Sequence, residues 1–361
     1  MNILILTGNF GMGHTSAAKA IAERISLDDE DSNVYVEDLF RNAFNSSHYD
    51  FMFRLMVKKG RFFYNKVYRH TKDTEKQNKM PFGRHFRRCI DGLISETDAD
   101  IIISTLWSCS KAVSEYKRET GSSIPLITCI TDISSHSEWI QPLTDFYMAA
   151  TPEVKAELVH KNIDPQRVIV SGVPVRCAFG EAAVPTEHPG EKRLLIMGGG
   201  LGLLPKTKSF YERINSLCGV KTTVITGSNT ALCNTIYGKY ENIEVLSFVN
   251  DVPRYMKDSD LMISKPGGIT LFEAISAELP LLIFKPFLQH EKRNGEFILE
   301  NGIGDVLPED ESDWTEKIKE MLNSGDKLRD MRANMHNLKS VLDESALPML
   351  LRQFERQSVS A

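Results

Sequence analysis

Short apolar runs alternate with amphipathic, helix-like stretches along this whole chain, and this alternation constrains the fold more than any other feature. Strands that alternate with helices favour parallel sheets covered by helices on both faces. Two successive sets of such units predict an α/β protein with two Rossmann-like domains. The predicted strands are Ile3–Leu6, Val34–Val36, Ile101–Ser104, Leu126–Ile130, Phe146–Ala149, Val168–Ser171, Leu194–Met197, Thr222–Thr226, Ile243–Leu246, Leu261–Ile263 and Leu281–Phe284.

The length of the chain also favours two domains, because its 361 residues exceed the ~250–300 residues at which one core stops growing. Residues 178–192 contain glycine and proline without a clear periodicity, which predicts a linker. We therefore expect an N-terminal domain at residues 1–178, a linker at 179–192 and a second domain at 193–340. A C-terminal helix at 341–361 is expected to dock on one of the two domains.

The run SKPGGITLFE at residues 264–273 is the strongest local signal. It joins an apolar strand to an amphipathic stretch, so a glycine turn opens a helix. Unpaired N–H groups and the positive end of the helix dipole favour a phosphate there, and Gly267 and Gly268 let the backbone approach it. Glu273, one turn further on, is placed to accept hydrogen bonds from the hydroxyls of a ribose. The run predicts a nucleotide diphosphate site.

The run GNFGMGH at residues 8–14 is a second glycine-rich turn between a strand and a helix. His14 lies at the expected helix start, where the positive helix end favours the neutral, basic imidazole. We interpret His14 as a general base, the alternative being a histidine that only caps the turn. The glycine spacing is not GxGxxG, so a nicotinamide dinucleotide is not favoured.

The run TDISSHSEW at residues 131–139 follows another predicted strand. Asp132 stands at the strand exit, where a carboxylate can act as a base or orient His14. The alternative is an aspartate that caps a helix. Both interpretations place Asp132 at the carboxyl edge of the first sheet, where ligands bind in parallel α/β folds.

Three further strand exits contain groups suited to a nucleotide sugar. The glycine cluster at residues 198–202 allows close approach to a phosphate, although a plain turn is the alternative. Backbone groups near Phe248 are placed to contact the nucleobase. The loop at 289–294 offers amide and carboxylate groups that bridge neighbouring hydroxyls, although a plain polar loop is the alternative. The predicted donor-site residues are Gly13, Gly199, Gly200, Phe248, Val249, Ser264, Gly267, Gly268, Thr270, Glu273, Gln289, Glu291 and Asn294.

A basic and apolar segment at residues 51–90 stands out from a chain of formal net charge −5. Twelve Lys and Arg against two Asp and Glu give it a local formal charge of +10. Aromatic and aliphatic residues interleaved with cations favour an anionic membrane surface. A core helix with a solvated basic face is an equal alternative, and RNA binding is a weaker one. The residues predicted to contact the acceptor or the membrane are Arg54, Lys58, Lys59, Arg61, Phe62, Phe63, Lys66 and Trp139.

The sequence also predicts a compartment. No apolar run approaches the ~18–20 residues of a spanning helix, and the N-terminus lacks the basic region of a signal peptide. The six cysteines are scattered without a CxxC pair, so neither a zinc site nor a disulfide framework is indicated. We therefore expect a cytoplasmic protein that lies peripherally on the inner face of the cell membrane.

Four runs together resemble one known family: NFGMGH at 9–14, ITD at 130–132 with His136 and Trp139, SGVPVR at 171–176, and KPGGITL at 265–271. In this order they are similar to motifs of the bacterial processive diacylglycerol glucosyltransferases and the plant monogalactosyldiacylglycerol synthases, over about residues 1–310. KPGGITL is the most specific of them. The resemblance implies the GT-B fold of glycosyltransferase family 28, in which two Rossmann-like domains with parallel sheets face a central cleft.

The resemblance further implies an inverting transfer of a hexose from UDP-glucose or UDP-galactose to a membrane lipid, with 1,2-diacylglycerol as the expected acceptor. It implies no cofactor and no catalytic metal, because helix N-termini hold the diphosphate, and no nucleic-acid partner is expected. His14 or Asp132 would be the base, Glu273 would bind the ribose, and Thr270 would lie in the diphosphate loop. The alternatives are a polyprenyl-linked or soluble acceptor, or a non-catalytic UDP-sugar-binding protein.

Overall fold

The computed structural model describes residues 1–9, 12–44, 80–181, 188, 190–286, 289–343 and 345–359. The chain forms two compact units, each with its own parallel sheet. The first unit comprises residues 1–10, 14–176 and 342–361, and the second comprises residues 11–13 and 177–341. The predicted membrane-contact residues Arg54, Lys58, Lys59, Arg61, Phe62, Phe63 and Lys66 lie outside the described residues.

Twelve strands lie within the described ranges. They are β1 (Asn2–Thr7), β2 (Asn33–Asp38), β3 (Ile101–Ser104), β4 (Leu126–Cys129), β5 (Phe146–Ala149), β6 (Val168–Val170), β7 (Lys192–Met197), β8 (Val220–Ile225), β9 (Ile243–Leu246), β10 (Leu261–Ser264), β11 (Leu281–Ile283) and β12 (Gly304–Val306). The first sheet has the order β2-β1-β3-β4-β5-β6, and the second has the order β12-β11-β10-β7-β8-β9. Every neighbouring pair is parallel. The prediction of two parallel α/β sheets is therefore confirmed.

Helices connect these strands. They are α1 (Met12–Asp28), α2 (Leu39–Ala43), α3 (Gly83–Thr97), α4 (Trp107–Thr120), α5 (Pro152–His160), α6 (Cys177–Glu181), α7 (Lys208–Asn215), α8 (Thr230–Ile236), α9 (Val252–Lys257), α10 (Gly268–Ser276), α11 (Gln289–Glu300), α12 (Trp314–Asn323), α13 (Gly325–Ser340) and α14 (Ala346–Val359), with short 3₁₀ turns at Ser137–Trp139, Pro165–Arg167 and Glu311–Asp313. Within the described part of the chain, no helix is long and apolar enough to span a membrane.

Burial on both faces explains why the central strands are continuous apolar runs. Successive side chains of a strand point to opposite faces. In β1, Ile3 and Ile5 join a cluster with α1, whereas Leu4 and Leu6 join the cluster formed by α3 and α4. All four side chains are fully buried. The first sheet is thus covered on both sides, as a parallel sheet requires.

The C-terminal helix α14 belongs to the first unit. Leu347, Leu350 and Leu351 pack in the same cluster as Ile3 and Ile5. Three leucines at this spacing lie on one helix face, and they cover apolar surface that the sheet would otherwise expose.

Among the strands of the described ranges, the edge strand β12 is not among those predicted from the sequence. It has only three residues, Gly304 to Val306, and no apolar run. A Cβ built on Gly304 would lie 2.5 Å from the carbonyl oxygen of Leu281. The backbone of β12 therefore approaches β11 at a place where only glycine fits, and this glycine makes the strand look like a loop in the sequence.

Candidate functional site

The second unit contains the loop that joins β10 to α10, where the SKPGGITLFE run lies. β10 is buried along its whole length, and Gly267 is the N-cap residue of α10 with φ −79° and ψ 141°. Among the described residues, no side chain caps this helix end. The N–H groups of the first turn therefore lack a side-chain acceptor and lie at the positive end of the helix dipole, an arrangement that favours an anion.

Two buried polar side chains hold this loop in place. Ser264 Oγ donates to the carbonyl oxygen of Met197 at 2.8 Å, which ties β10 to β7. Asn294 Nδ2, on α11, donates to the carbonyl oxygen of Pro266 at 2.9 Å, and only 1% of Asn294 is exposed. Ser264 and Asn294, both predicted donor-site residues, thus make hydrogen bonds that position this loop. Their direct contact with a donor stays a prediction.

Lys265 directly precedes this turn, but it is not among the site residues predicted from the sequence. Its Nζ lies 3.6 Å from Oε1 of Glu291, a predicted donor-site residue that is buried in the first turn of α11. A Cβ built on Gly267 would lie 4.0 Å from Nζ, and one built on Gly199 would lie 3.4 Å from Cε. The ammonium group is therefore beside the turn that opens α10. In the sequence, Lys265 follows a strand and stands two residues before a pair of glycines, and this pattern could have identified it as a site residue.

Thr270 and Glu273 lie on α10 beyond its N-terminus. Thr270 is buried, and Glu273 is half-buried. The helical rise of about 1.5 Å per residue separates Gly268 from Glu273 by about 7.5 Å along the axis. A diphosphate at the helix end would thus leave the carboxylate for the neighbouring ribose, and this role of Glu273 stays a prediction.

The glycine cluster after β7 forms a tight turn. Gly199 and Gly202 have φ values of +65° and +60°, in the left-handed region that favours glycine. The N–H of Gly202 donates to the carbonyl oxygen of Gly199 at 2.9 Å. Gly199 and Gly200 are half-buried, and Gly199 lies against the Lys265 stem. The turn is thus hydrogen-bonded, and it lies near the Lys265 side chain.

The residues predicted to contact a base lie in the loop after β9. Phe248 is 51% exposed, and Val249 is half-buried. An exposed phenyl ring offers a face on which a planar base can stack. Gln289 is the first residue of α11, but its side chain lies outside the described part of the structure.

His14 lies in the first turn of α1, and the edge of the first sheet fixes its ring. Its Nδ1 is 3.0 Å from the carbonyl oxygen of Thr105 and 2.9 Å from Oγ1 of Thr131. A carbonyl oxygen only accepts hydrogen bonds, so Nδ1 carries the proton and Thr131 accepts as well. Thr105 Oγ1 donates within the same group, 2.9 Å from Thr7 Oγ1 and 3.1 Å from the carbonyl oxygen of His14. This tautomer leaves Nε2 as the basic nitrogen.

Asp132 follows β4 and is half-buried. Its neighbour Thr131 contacts Nδ1 of His14, as does the carbonyl oxygen of Thr105. An orienting role of Asp132 toward His14 stays a prediction. The alternative of a helix cap at Asp132 is wrong, because bends follow this residue and the next helical turn begins only at Ser137. A catalytic role for Asp132 stays a prediction.

The loop after Asp132 is fixed from α5. Ser135 donates to Glu157 Oε2 through its backbone N–H at 3.1 Å and through Oγ at 2.8 Å. Lys161 Nζ, at the end of the same helix, donates to Ser135 Oγ at 2.9 Å. These contacts hold the loop that follows β4 in one conformation.

His136 and Trp139 are both buried. Nδ1 of His136 accepts from the backbone N–H of Glu138 at 3.3 Å, and His136 is buried. Trp139 is 1% exposed, which does not favour the direct contact with acceptor or membrane that we predicted for it. Burial raises the pKa of the intervening Glu138 carboxyl, and Lys111 opposes this shift.

Cysteine thiols and potential metal ligands also occur in the described ranges. No group of three or more His, Cys, Asp or Glu side chains there could hold a metal ion. Burial raises the pKa of Cys129 to about 12, and that of Cys89 to about 11 with the charge of Glu37 adding to the effect. Neither thiol is therefore activated as a nucleophile.

Two family models match this chain. Residues 14–175 match the model of monogalactosyldiacylglycerol (MGDG) synthase. Residues 195–345 match that of the glycosyltransferase family 28 C-terminal domain. The first match begins at His14, after β1, and includes β2 to β6, whereas the second begins within β7 and includes β8 to β12.

Curated relatives are similar over nearly the whole chain. The processive diacylglycerol beta-glucosyltransferase of Bacillus subtilis is 32% identical over 355 residues, with 93% of this chain and 91% of the relative covered. The enzyme of the same description from Bacillus licheniformis is 31% identical over 356 residues, with the same shares covered.

Solved structures of low sequence identity share the fold. MurG of Acinetobacter baumannii has a TM-score of 0.65 at 13% identity, with 99% of this chain and 100% of the other covered. The spinosyn rhamnosyltransferase SpnG with thymidine diphosphate has a TM-score of 0.63 at 12% identity, with 98% and 100% covered. Both are GT-B glycosyltransferases, which confirms the predicted fold class.

Proposed function

The chain belongs to the family of monogalactosyldiacylglycerol synthases and processive diacylglycerol glucosyltransferases, and we propose that it transfers a hexose from a UDP-sugar to diacylglycerol. Membership of this family makes it a UDP-sugar-dependent glycosyltransferase. The observation in the geometry that best supports the proposal is the α10 N-terminus, which follows a glycine turn and has no side-chain cap from the described part of the chain.

The donor is proposed to bind the second unit. The first-turn N–H groups of α10 would hold the diphosphate, and Glu273 would accept hydrogen bonds from the ribose hydroxyls. Phe248, half exposed beyond β9, would stack on the uracil. We propose that α10 stabilises the departing UDP without a metal, since the helix end offers donors where negative charge develops.

His14 is the proposed general base. The fixed Nδ1 proton leaves Nε2 to take the proton of the acceptor hydroxyl. The acceptor oxygen then bonds to C1 of the hexose while the bond from C1 to the diphosphate oxygen breaks, and its electron pair stays with UDP. Attack from the face opposite UDP inverts the configuration at C1. Asp132 is the second candidate for this base.

An anionic membrane is the proposed site of action, on the inner face of the cell membrane. The net charge of +10 over residues 51–90 supports this proposal. The described end of that segment is part of α3, a core helix with a basic face: Phe86 and Ile90 are buried, whereas Arg84, Arg87 and Arg88 are exposed. For this part of the segment, the alternative of a solvated basic helix face therefore applies.

The test is a direct assay of the full-length protein with diacylglycerol in anionic vesicles. UDP-glucose, UDP-galactose and UDP-N-acetylglucosamine are supplied separately, and lipid products are measured by mass spectrometry. We expect hexosyl-diacylglycerol with UDP-glucose or UDP-galactose. UDP binding without a lipid product from any donor would contradict diacylglycerol as acceptor, and would favour another acceptor or a non-catalytic UDP-sugar-binding protein.

Two variants separate the proposed roles. His14→Ala should lower kcat by about 100-fold or more, the usual contribution of a general base, with nearly unchanged UDP affinity. Glu273→Ala should instead weaken UDP binding about tenfold or more, because charged hydrogen bonds contribute about 1.5–3 kcal/mol. Full turnover in His14→Ala, or an unaltered dissociation constant in Glu273→Ala, would contradict the respective role.

A further inference from the structure

Lys265 and Glu291 form an ion pair at the opening of α10. The Nζ to Oε1 distance is 3.6 Å, longer than the 2.7–2.9 Å of a close charge-assisted hydrogen bond. The Lys265 side chain is 31% exposed and that of Glu291 8% exposed. The pair is thus loose, with a buried carboxylate on one side and an ammonium group that solvent or a ligand can reach on the other.

The position of the ammonium group is unfavourable without an anion. It lies beside Gly267, at the positive end of the α10 dipole, where cations are disfavoured and anions are stabilised. The Glu291 carboxylate offsets part of this repulsion from one side. A ligand with more than one negative charge would neutralise both the ammonium group and the helix end.

We infer that Lys265 changes its ion-pair partner when the donor binds. Its ammonium group leaves the Glu291 carboxylate and pairs with the donor diphosphate. The Glu291 carboxylate, without this cation, then accepts hydrogen bonds from the hexose hydroxyls. This inference rests on the proposed function. The same ammonium group offsets the charge that develops on UDP as its bond to C1 breaks. Diphosphate occupancy is thereby coupled to recognition of the hexose.

The exchange predicts opposite effects of the two partners on UDP affinity. Lys265→Met should weaken UDP binding by about 10- to 100-fold, the range for loss of a charged hydrogen bond, while uridine, which has no phosphate, binds as it does to the wild type. Lys265→Arg, which keeps the charge, should lose less. Glu291→Gln should bind UDP more tightly, because the competing carboxylate is gone, yet turn over UDP-hexose more slowly.

Titration calorimetry of the full-length variants with UDP and with uridine tests this inference. Lys327→Met is the matched control: its ammonium group lies 3.2 Å from Asp305, which keeps Lys317 as a second partner. UDP affinity in this control should equal that of the wild type.

Three outcomes would overturn the inference. Equal loss of UDP and uridine binding in Lys265→Met would place Lys265 outside the diphosphate contacts. Unchanged or weaker UDP binding in Glu291→Gln would contradict the exchange while leaving the proposed function intact. A wild-type protein that binds neither UDP nor uridine would contradict the proposed function itself, and this inference with it.

Discussion

At the residue scale, the position of one proton decides which ring nitrogen of His14, the proposed base, is basic. The carbonyl oxygen of Thr105 has no proton to donate, so its 3.0 Å contact assigns the proton of His14 to Nδ1. Thr131 Oγ1 is a second acceptor at 2.9 Å. A threonine hydroxyl and a backbone carbonyl thus do here what a carboxylate does beside the histidine of many hydrolases.

The contribution of the Thr131 hydroxyl can be separated from that of the side chain's shape, because valine has nearly the same shape and no hydroxyl. Thr131→Val should lower kcat about 5- to 10-fold, since a neutral hydrogen bond contributes ~1 kcal/mol. The KM for the UDP-sugar should not change, because the donor site is proposed to lie in the second unit. Steady-state kinetics with a fixed acceptor surface would measure both. Thr131→Ser keeps the hydroxyl and should retain most of kcat; equal losses in the two variants would contradict the positioning role.

At the scale of elements, ion pairs of Asp305 attach the edge strand β12 to the neighbouring helices. Asp305 Oδ2 lies 2.7 Å from Lys317 Nζ on α12 and 3.2 Å from Lys327 Nζ on α13. Burial alone would raise the pKa of Asp305, but hydrogen bonds from Lys317, the N–H of Val306 and Lys327 outweigh it and hold this pKa below its usual value. These contacts join a three-residue strand to two helices.

This lowered pKa predicts a dependence of stability on pH. A carboxyl whose pKa is lower in the folded state stabilises it above its unfolded pKa of about 3.9, and loses this effect as the pH falls through the folded value. Asp305→Asn should therefore cost about 1 kcal/mol at pH 7, the upper end for partly exposed pairs, and progressively less below pH 4. Urea unfolding at several pH values measures this difference.

Asp326→Asn is the control for that experiment, because Asp326 forms an exposed pair with Arg329 on a single helix. Its effect should be small at every pH. A constant cost of Asp305→Asn from pH 7 to pH 3 would show that the charge of Asp305 is not what stabilises β12.

At the scale of the whole molecule, the last segment of the chain completes the first unit. Leu350 is 4% exposed in the cluster that contains Ile3 and Ile5. Arg352 NH2 adds a 2.8 Å ion pair to Asp28 at the end of α1. The two ends of the chain therefore share one core.

Leu350→Ala should destabilise the first unit by about 2–5 kcal/mol, the range for buried leucine truncation. Hydrogen exchange followed by mass spectrometry should show faster exchange in β1 and α1, and unchanged exchange in β7 and β10. Met349→Ala, at a neighbouring position that is 57% exposed, should leave both patterns as in the wild type. Equal acceleration in the two sheets would contradict a separate core for each unit.

Strands such as β1, β3 and β10 were predictable from the sequence because each is an apolar run, and burial on both faces leaves no polar alternation to obscure it. The turn at Gly267 was also predictable, because a strand, two glycines and a helix that follow one another in the chain indicate a tight turn at the start of the helix. β12 was not predictable, since its place depends on the close approach of Gly304 to Leu281 across 23 residues of chain.

The sequence by itself determined the strands that alternate with helices, the turn that opens α10 and the place of His14 at the start of α1, because each depends on residues adjacent in the chain. Only the tertiary structure decided that Thr105 and Thr131 contact Nδ1 of His14, that Lys265 faces Glu291, and that α14 packs on β1. These contacts join residues far apart in the chain, and side-chain direction and packing set them, neither of which a local pattern contains.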